Sequence, residues 1–489
     1  MRRLSPARAS STPSSRSAHL RLASLAIAFA LSPAARAAHD TDVATAMDPD
    51  HPLEFDLDVG YSHLRRDTTI TRENFQADPN NPGHQGIVLV NELQHSEVDD
   101  AMSFRAGVGI YHDLELHIIV PYSFGDTQNW GYASGTSASA STLTNNYINV
   151  SGCNGAGACS TSAAAQPIMT IPGQSKRGGF GDPTIGLAWA PLNEAREEKL
   201  KPELFPTGHS ISTWVIGFDY TLPLPGNVDD PSKFGALVPG TTTSVPTTAG
   251  YTGSLLRKAH VFSPWTAYSI RYHVLNPYFS LRATLPLAVQ GSAYDNCSNY
   301  QLLADVATMD CPQAQTGNGS TTNAAAIADW QGDTGYKPAF TGEFKVGTEF
   351  VVAEDPSGHQ KFAFDLNAVT TWFSPARDYS MVSDALGKLT YEDEHITSIG
   401  TFGIYGRVAR WLHFRVSGSL GFDTPHFLTD ESIGKDLNGD GVVTISAGGP
   451  NKSVEQNPLY DFRLDQVGRR LHAELTLIWG VSGTMSLNF

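Results

Sequence analysis

Apolar and polar side chains alternate at every second position along many short segments of this chain. In the first such segment the apolar set is Leu53, Phe55, Leu57, Val59 and Tyr61. Successive side chains of a β-strand point to opposite faces, whereas a helix would mix the two sets. The alternation therefore predicts strands that have one apolar face and one polar face.

About twelve segments show this alternation, with bulky residues on one face and small or charged residues on the other. The apolar face of the last segment carries Leu471, Ala473, Leu475, Leu477, Trp479 and Val481. Short turns near 111–114, 275–277, 355–360 and 409–412 separate them, as do long polar stretches near 67–90, 125–176, 224–255, 291–335, 374–393 and 425–464. Short turns at one end and long loops at the other are typical of outer-membrane barrels. The predicted fold is all-β, a single closed antiparallel transmembrane barrel of about 12 strands, with long extracellular loops and short periplasmic turns. A soluble β-sandwich also alternates, but it rarely gives every strand an outer face suited to lipid.

The beginning of the chain predicts export. Five arginines precede a short apolar run, 22–31, and Ala35-Arg36-Ala37 offers a cleavage site of small residues. We expect residues 1–37 to be a cleaved signal peptide and residues 38–489 to form the barrel, in the outer membrane of a Gram-negative bacterium. The chain ends in Phe489 with apolar residues at alternate positions before it, which resembles the signal read by the barrel-insertion machinery. The expected partners are that machinery, outer-membrane lipid and a small-molecule solute.

Charge and hydropathy narrow the function. The whole chain has a formal net charge of −16, and removing residues 1–37 takes away six Arg and no acid, which leaves −22. A strongly acidic exported protein is not expected to bind nucleic acid. Mean hydropathy is −0.21, and this argues against a helical membrane protein.

Charged residues on the polar faces are candidates for lining a pore, because rings of charge at a constriction select permeating solutes. The alternative is that these charges only solvate and cross-link the barrel wall. The candidates are Glu54, Asp56, Asp58, Arg105, Glu115, His117, Asp219, Arg271, Arg282, Glu343, Lys345, Glu349, Asp365, Arg407 and Arg415.

One loop resembles the calcium loop of EF-hand proteins. Asp436, Asn438 and Asp440 would give side-chain oxygens, glycine follows for the sharp turn, and Val442 would give its carbonyl. Ala447 stands where the family has a bidentate Glu, and the segment also reads as a plain Asn/Asp/Gly turn. Calcium in this extracellular loop is the one cofactor that the sequence suggests, and none is required.

The four cysteines form two near pairs in predicted loops. They are Cys153 with Cys159 and Cys297 with Cys311. An oxidising compartment would join each pair in a disulfide, although free thiols are the alternative. The spacing does not suit a zinc site.

Aromatic residues near the predicted strand ends suit interfacial girdles: Tyr122, Trp189, Trp214, Trp265, Trp372, Trp411 and Trp479. No nucleophile elbow, zinc-protease helix or phosphate-binding glycine loop is present in the sequence. We therefore predict no catalytic residues and no enzyme activity.

The segment 177–187, Arg-Gly-Gly-Phe-Gly-Asp-Pro-Thr-Ile-Gly-Leu, resembles a strand opening in the outer-membrane transporter-like family linked to the meta-pathway of phenol degradation. The run 55–61 and the terminal Phe489 are similar as well. The resemblance implies a barrel that passes small, often hydrophobic or aromatic molecules, and it carries over no binding residues. The sequence thus predicts a passive channel. The alternative is a surface-exposed structural or ligand-binding barrel with calcium-stabilised loops and a closed lumen.

Overall fold

The structure is a computed structural model. It describes residues 41–47, 52–77, 85–143, 152–153, 159–160, 171, 173–194, 196–197, 210–224, 252–253, 256, 258–289, 336–354, 360–386, 389–409, 411–434, 441–443, 445–446, 449–450, 459–460 and 463–489. Within these ranges, no helix has the length and apolar character needed to cross a membrane.

The described residues form mainly strands, together with a short helix, α1 (Ser383–Leu386), and a few helical residues at 194 and 196–197. The strands are β1 (Phe55–Ala77), β2 (Gln85–Tyr111), β3 (Leu114–Tyr132), β4 (Gly152–Cys153), β5 (Cys159–Ser160), β6 (Gly173–Phe180), β7 (Thr184–Asn193), β8 (Ile211–Thr221), β9 (Thr252–Gly253), β10 (Ala259–Arg271), β11 (Leu275–Ala288), β12 (Thr341–Glu354), β13 (Lys361–Phe373), β14 (Ala376–Asp378), β15 (Thr390–Glu392), β16 (His395–Ala409), β17 (Leu412–Asp423), β18 (His426–Phe427), β19 (Ile445–Ser446), β20 (Gly449–Pro450), β21 (Leu471–Ala473) and β22 (Thr476–Asn488).

The long strands close into one antiparallel barrel, as the sequence predicts. Each strand pairs with its neighbour around the ring β1-β2-β3-β7-β8-β10-β11-β12-β13-β16-β17-β22, and β22 returns to β1. The barrel therefore has the predicted 12 strands, with β6 continuing β7 along β3. The closing pair runs without a register shift from Asp56 opposite Asn488 to Asp67 opposite Leu477. The amide of Phe55 donates to the carbonyl oxygen of Phe489 at 3.0 Å, so the terminal residue takes part in closure.

A belt of exposed apolar side chains surrounds the barrel. Leu366 is 53% exposed and Phe402 54% exposed on neighbouring strands. Other members of the belt are Phe104, Leu116, Ile118, Ile185, Leu187, Phe218, Phe279, Leu281, Phe344, Val346, Phe414, Val416, Leu420, Val481 and Met485. An apolar outer face on a closed sheet is the surface that a bilayer requires. The chain is therefore a transmembrane β-barrel of the outer-membrane type.

The first three strands continue well beyond this belt. Residues 67–90 and 125–176 are predicted as long loops, but β1 extends to Ala77, β2 begins at Gln85 and β3 extends to Tyr132. The outward residues of β1 become polar after Tyr61, and Arg65 there pairs with Asp67 at 2.5 Å. Outside the bilayer a strand needs no lipid-facing side, so the alternation used to recognise strands is lost while the backbone pairing continues.

The extensions of β1 to β3 pack against β21 and against the loop segments around Leu143, Met381 and Leu464. Together they form a cap with its own apolar core. Trp130 and Leu464 are buried in this core, and the Trp130 indole N–H donates to the Met381 carbonyl at 2.9 Å. The alternation also predicts that Leu471 and Ala473 face lipid, which is wrong because both are fully buried in the cap. They belong to β21, which lies beyond the apolar belt, so their apolar side faces the cap core.

A polar contact anchors the cap to β1. The Arg470 guanidinium donates to both carboxylate oxygens of Glu73, at 2.9 and 2.7 Å, and to Asp430 at 2.8 Å. The amide of Gly468 also donates to Glu73 at 2.8 Å. Burial raises the pKa of Glu73, but these hydrogen bonds and the Arg470 charge outweigh it and hold the pKa below its usual value.

Several predictions concern residues outside the described ranges. The signal peptide 1–37, Cys297, Cys311 and the calcium-loop residues 436–440 are among them. Of that loop, Gly441 has a φ of 81°, as a sharp turn requires, and Val442 is exposed. Cys153 lies opposite Cys159 in the backbone register of β4 and β5, and the side chains of both lie outside the described part. The disulfides and the calcium site stay predictions.

Replacing Leu366 by Arg tests the lipid-facing belt. Leu366 lies midway along β13, so we expect the substitution to lower the free energy of unfolding by about 2–4 kcal/mol, measured by urea unfolding in lipid vesicles. Ile396→Arg, at the outer end of the next strand, is the control and should cost about 0–1 kcal/mol. Equal costs at the two positions would contradict the assignment of the belt.

Acid should loosen the cap through Glu73. Because its pKa is lowered in the folded state, its contribution to stability is present above the unfolded pKa and is lost as the pH falls through the folded value. We expect the amide protection of β21, corrected for intrinsic exchange, to decrease between about pH 5 and pH 3. In Glu73→Gln the decrease should be absent, with low protection throughout, whereas the control Glu354→Gln should resemble wild type.

Candidate functional site in the barrel interior

The inner wall of the barrel holds most of the predicted pore-lining residues. Asp56, Asp58, Arg105, Glu115, His117, Asp219, Lys345, Glu349 and Asp365 are buried, and Glu54, Arg282, Glu343, Arg407 and Arg415 are half-buried. Arg271 is different, because it is exposed at the periplasmic end of β10 and donates to Glu354 at 3.0 Å. Their part in passage of a solute stays a prediction, but their contacts are clear.

One network of charges crosses half of the wall. Arg105 donates to Asp58 at 3.1 Å and also to Glu115. The His117 ring lies between Glu115, at 3.1 Å from Nδ1, and Asp219, at 3.0 Å from Nε2. Arg282 completes the network by donating to Asp219 at 2.7 Å. Carboxylates and basic side chains alternate along it, so each buried carboxylate has a basic side chain beside it.

The network crosses β7 at a glycine. His117 on β3 and Asp219 on β8 are both register partners of Gly186, which lies between them. A Cβ at Gly186 would lie 2.2 Å from the Asp219 Oδ1 and 2.3 Å from the His117 Nε2. The glycine therefore leaves the space in which the two side chains meet.

A second network repeats this arrangement on the other half of the wall. The Tyr278 hydroxyl donates to Asp365 at 2.7 Å across β12, at the level of Gly347. A Cβ at Gly347 would lie 2.6 Å from the Tyr278 ring. Arg415 also donates to Asp365, across β16. A glycine on the intervening strand again lets an inward side chain reach past its neighbour.

The carboxylates of Glu349 and Asp365 are direct partners on β12 and β13. Like charges in this position repel each other unless cations compensate. Lys361 donates to Glu349 at 2.9 Å, while Arg415 donates to Asp365. The pairing therefore needs two cations, and only one of them, Arg415, is among the predicted residues.

Sequence reasoning misses several inner-wall residues, among them Tyr278 and Lys361. It also places Trp265 in the lipid-facing girdle, which is wrong. Trp265 faces inward over Gly217, where a Cβ would lie 2.1 Å from the indole, and the Arg282 guanidinium lies 5.7 Å from its ring centroid. The detectable signal is glycine at an inward position, which marks where a large side chain crosses the strand.

The segment 41–47 lies inside the barrel at its periplasmic end. The Ala44 amide donates to Glu115 at 2.8 Å, and the Thr41 hydroxyl is 2.6 Å from that of Ser269. Val43 packs against Ala188, Ala190 and Val215. Gly109 is required beside this segment, because a Cβ there would lie 2.2 Å from the Thr45 carbonyl oxygen. The segment therefore narrows the lumen over β2, β3, β7, β8 and β10.

The inner wall presents paired charges, hydroxyls and aromatic faces over most of its circumference. Asn488 donates to Asp56 and the Ser417 and Ser482 hydroxyls lie 2.7 Å apart, so polar contacts continue through the closing strands. Such a surface can solvate a polar or aromatic molecule that moves past it.

Replacing Gly186 by Ala tests the glycine crossing. The added methyl should separate His117 from Asp219 and lower the free energy of unfolding by about 1–3 kcal/mol. Urea midpoints in detergent measure this loss. The matched control is Gly342→Ala, where a Cβ meets nothing within 4 Å. An unchanged midpoint for Gly186→Ala would show that the crossing contributes nothing to stability.

Comparison with known proteins gives loose likenesses only. No protein-family model and no curated protein matches the chain. Among solved structures, an outer-membrane channel of Pseudomonas putida F1 aligns at TM-score 0.36 and 10% identity, over 88% of this chain and 95% of that one. A FadL homologue of Pseudomonas aeruginosa aligns at TM-score 0.30 and 10% identity, over 89% and 90%. A mutant of the TodX monoaromatic hydrocarbon channel aligns at TM-score 0.27 and 9% identity, over 89% and 90%. None of these three alignments reaches a TM-score of 0.5, so none indicates the function of this chain.

Proposed function

We propose that the protein is a passive outer-membrane channel for small molecules. The observation that carries the proposal is the division of the barrel wall: an apolar belt faces outward while paired charges face inward. A barrel that served only as a structural element in the bilayer could fill its interior with apolar side chains. A charged, hydrogen-bonded inner wall suits contact with water and solutes.

The solutes that we propose are small aromatic molecules, as the resemblance to the phenol-pathway family implies. Three cations lie near aromatic rings on the inner wall: Arg282 at Trp265, Lys345 at Tyr278 and Lys361 at Tyr405, at 5.7, 5.5 and 5.4 Å. An aromatic face next to a cation favours a ring that carries a carboxylate or hydroxyl. Aromatic acids should therefore pass more readily than aliphatic acids of similar size.

The second candidate is a structural or ligand-binding barrel with a closed lumen and calcium-stabilised loops. The burial of Thr41, Val43, Ala44 and Ala46 and of the inner charges favours it, since Ala44 is 1% exposed and Glu349 also 1%. Conductance separates the two candidates.

Planar-bilayer recording tests the channel. We expect discrete conductance steps from the wild type and larger steps after deletion of residues 38–47, because segment 41–47 narrows the lumen. Met47→Ser is the matched control, since this exposed side chain belongs to the same segment. Heat-modifiable gel migration checks that each variant is folded.

Absence of steps in both wild type and deletion variant would refute the channel. Steps in the deletion variant alone would favour the sealed barrel. Entry of benzoate into vesicles at the same rate as hexanoate would remove the aromatic preference and leave the channel proposal in place.

A further inference from the structure

Two histidines and a carboxylate converge at the outer rim of the barrel. Glu392 ends β15, His395 begins β16 and His426 begins β18, in the loop that follows β17. One donor atom from each lies within 4.8 Å of those of the other two. Two loops of the cap thus bring His426 next to Glu392 and His395, which lie before β17 in the chain.

Both imidazoles are oriented by the backbone. The Nδ1–H of His395 donates to the Asp393 carbonyl at 3.2 Å, and the Nδ1–H of His426 donates to the Thr424 carbonyl at 2.8 Å. These bonds leave Nε2 of each ring as the coordinating nitrogen. Metal-binding histidines almost always have this second hydrogen bond, since it fixes both tautomer and ring orientation.

The distances suit one ion of the first transition series. His426 Nε2 lies 2.9 Å from Glu392 Oε1. Bonds of about 2.0–2.2 Å to zinc allow two donors to be at most about 4.4 Å apart. The His395 ring stacks on His426 with 4.1 Å between the ring centroids, and its donor atom lies within 4.8 Å of the other two donors.

The surroundings attract a cation. The three residues line a cavity of about 590 Å³, including the solvent at its mouth. The described lining of the cavity contains one arginine, Arg66, and four carboxylates, those of Asp378, Glu392, Asp393 and Asp423. Negative charge therefore exceeds positive charge around the three residues.

We propose that Glu392, His395 and His426 form a binding site for a divalent transition-metal ion, with Zn²⁺ as the best-fitting ion. Two imidazoles and one carboxylate form a recognised zinc ligand set, whereas calcium and magnesium prefer oxygen donors throughout. Zinc takes four ligands, and a water molecule from the cavity would supply the fourth. The ion links the loop between β13 and β16 to the loop after β17, so it fastens the cap to the barrel rim whether or not the barrel conducts.

Zinc titration of the refolded full mature chain tests the site. We expect one Zn²⁺ per chain by calorimetry and a higher melting temperature of the zinc-loaded protein. Glu392→Gln, His395→Gln and His426→Gln should each weaken binding at least about 10-fold, because even loss of a supporting residue around such sites costs 10–100-fold. Excess Ca²⁺ or Mg²⁺ should not compete.

The matched control is His63→Gln. His63 also lies at the rim beside a carboxylate, 2.8 Å from Asp100, but it belongs to no three-donor group in the described part of the chain. Its affinity for zinc should equal that of wild type. Unchanged affinity in all three site variants, or no binding by wild type, would overturn the proposal.

X-ray absorption spectroscopy of the zinc-loaded wild type tests the ligand set directly, and it does not depend on whether a variant folds. We expect a shell of two imidazole nitrogens with oxygen at about 2.0–2.2 Å. A shell made of oxygen alone would place the ion in another loop, and sulfur would place it at cysteine; either result would overturn the site.

Discussion

Backbone hydrogen bonding in lipid is the constraint on which this structure depends. Inside a bilayer no water is available to the peptide groups, so every strand must have a partner on both sides. Closure of β22 on β1 meets that requirement, and the amide and carbonyl of Phe489 pair with those of Phe55 at the periplasmic end. Without this pair both edges would face acyl chains, and the other strand pairs could not compensate.

Once the sheet is closed, its interior must accept side chains from all strands at once. The chain solves this with glycines at inward positions, through which long polar side chains reach across a strand. Gly186 serves His117 and Asp219, and Gly347 serves Tyr278. On the resulting inner wall, acidic side chains contact basic side chains of other strands in the sheet. The proposed passage of solutes depends on that arrangement, because unpaired buried charges would be too costly to keep.

Different segments pack at the two ends of the barrel. Residues 41–47 pack inside the periplasmic end through backbone amides and small apolar side chains. The outer end has a separate apolar core around Trp130 and Leu464, with Glu73 and Arg470 as a polar anchor. Glu392, His395 and His426 lie where this cap meets the rim, so the proposed metal site would act at the joint between the two parts.

The sequence by itself determined the barrel, its number of strands and most inward residues, because lipid on one side and polar contacts on the other impose a period of two on each membrane-spanning strand. It did not determine the extensions of β1 to β3, since outside lipid that period is no longer enforced. Trp265, Leu471 and Ala473 are misplaced for a different reason: an apolar side chain indicates burial, but not whether lipid, the lumen or the cap buries it. The partners of Asp219, the position of segment 41–47 and the meeting of Glu392 with His426 were decided only by tertiary structure. These contacts depend on strand register and on loop folding, which bring together residues that are far apart in the chain. The local pattern of apolar and polar residues does not indicate such contacts.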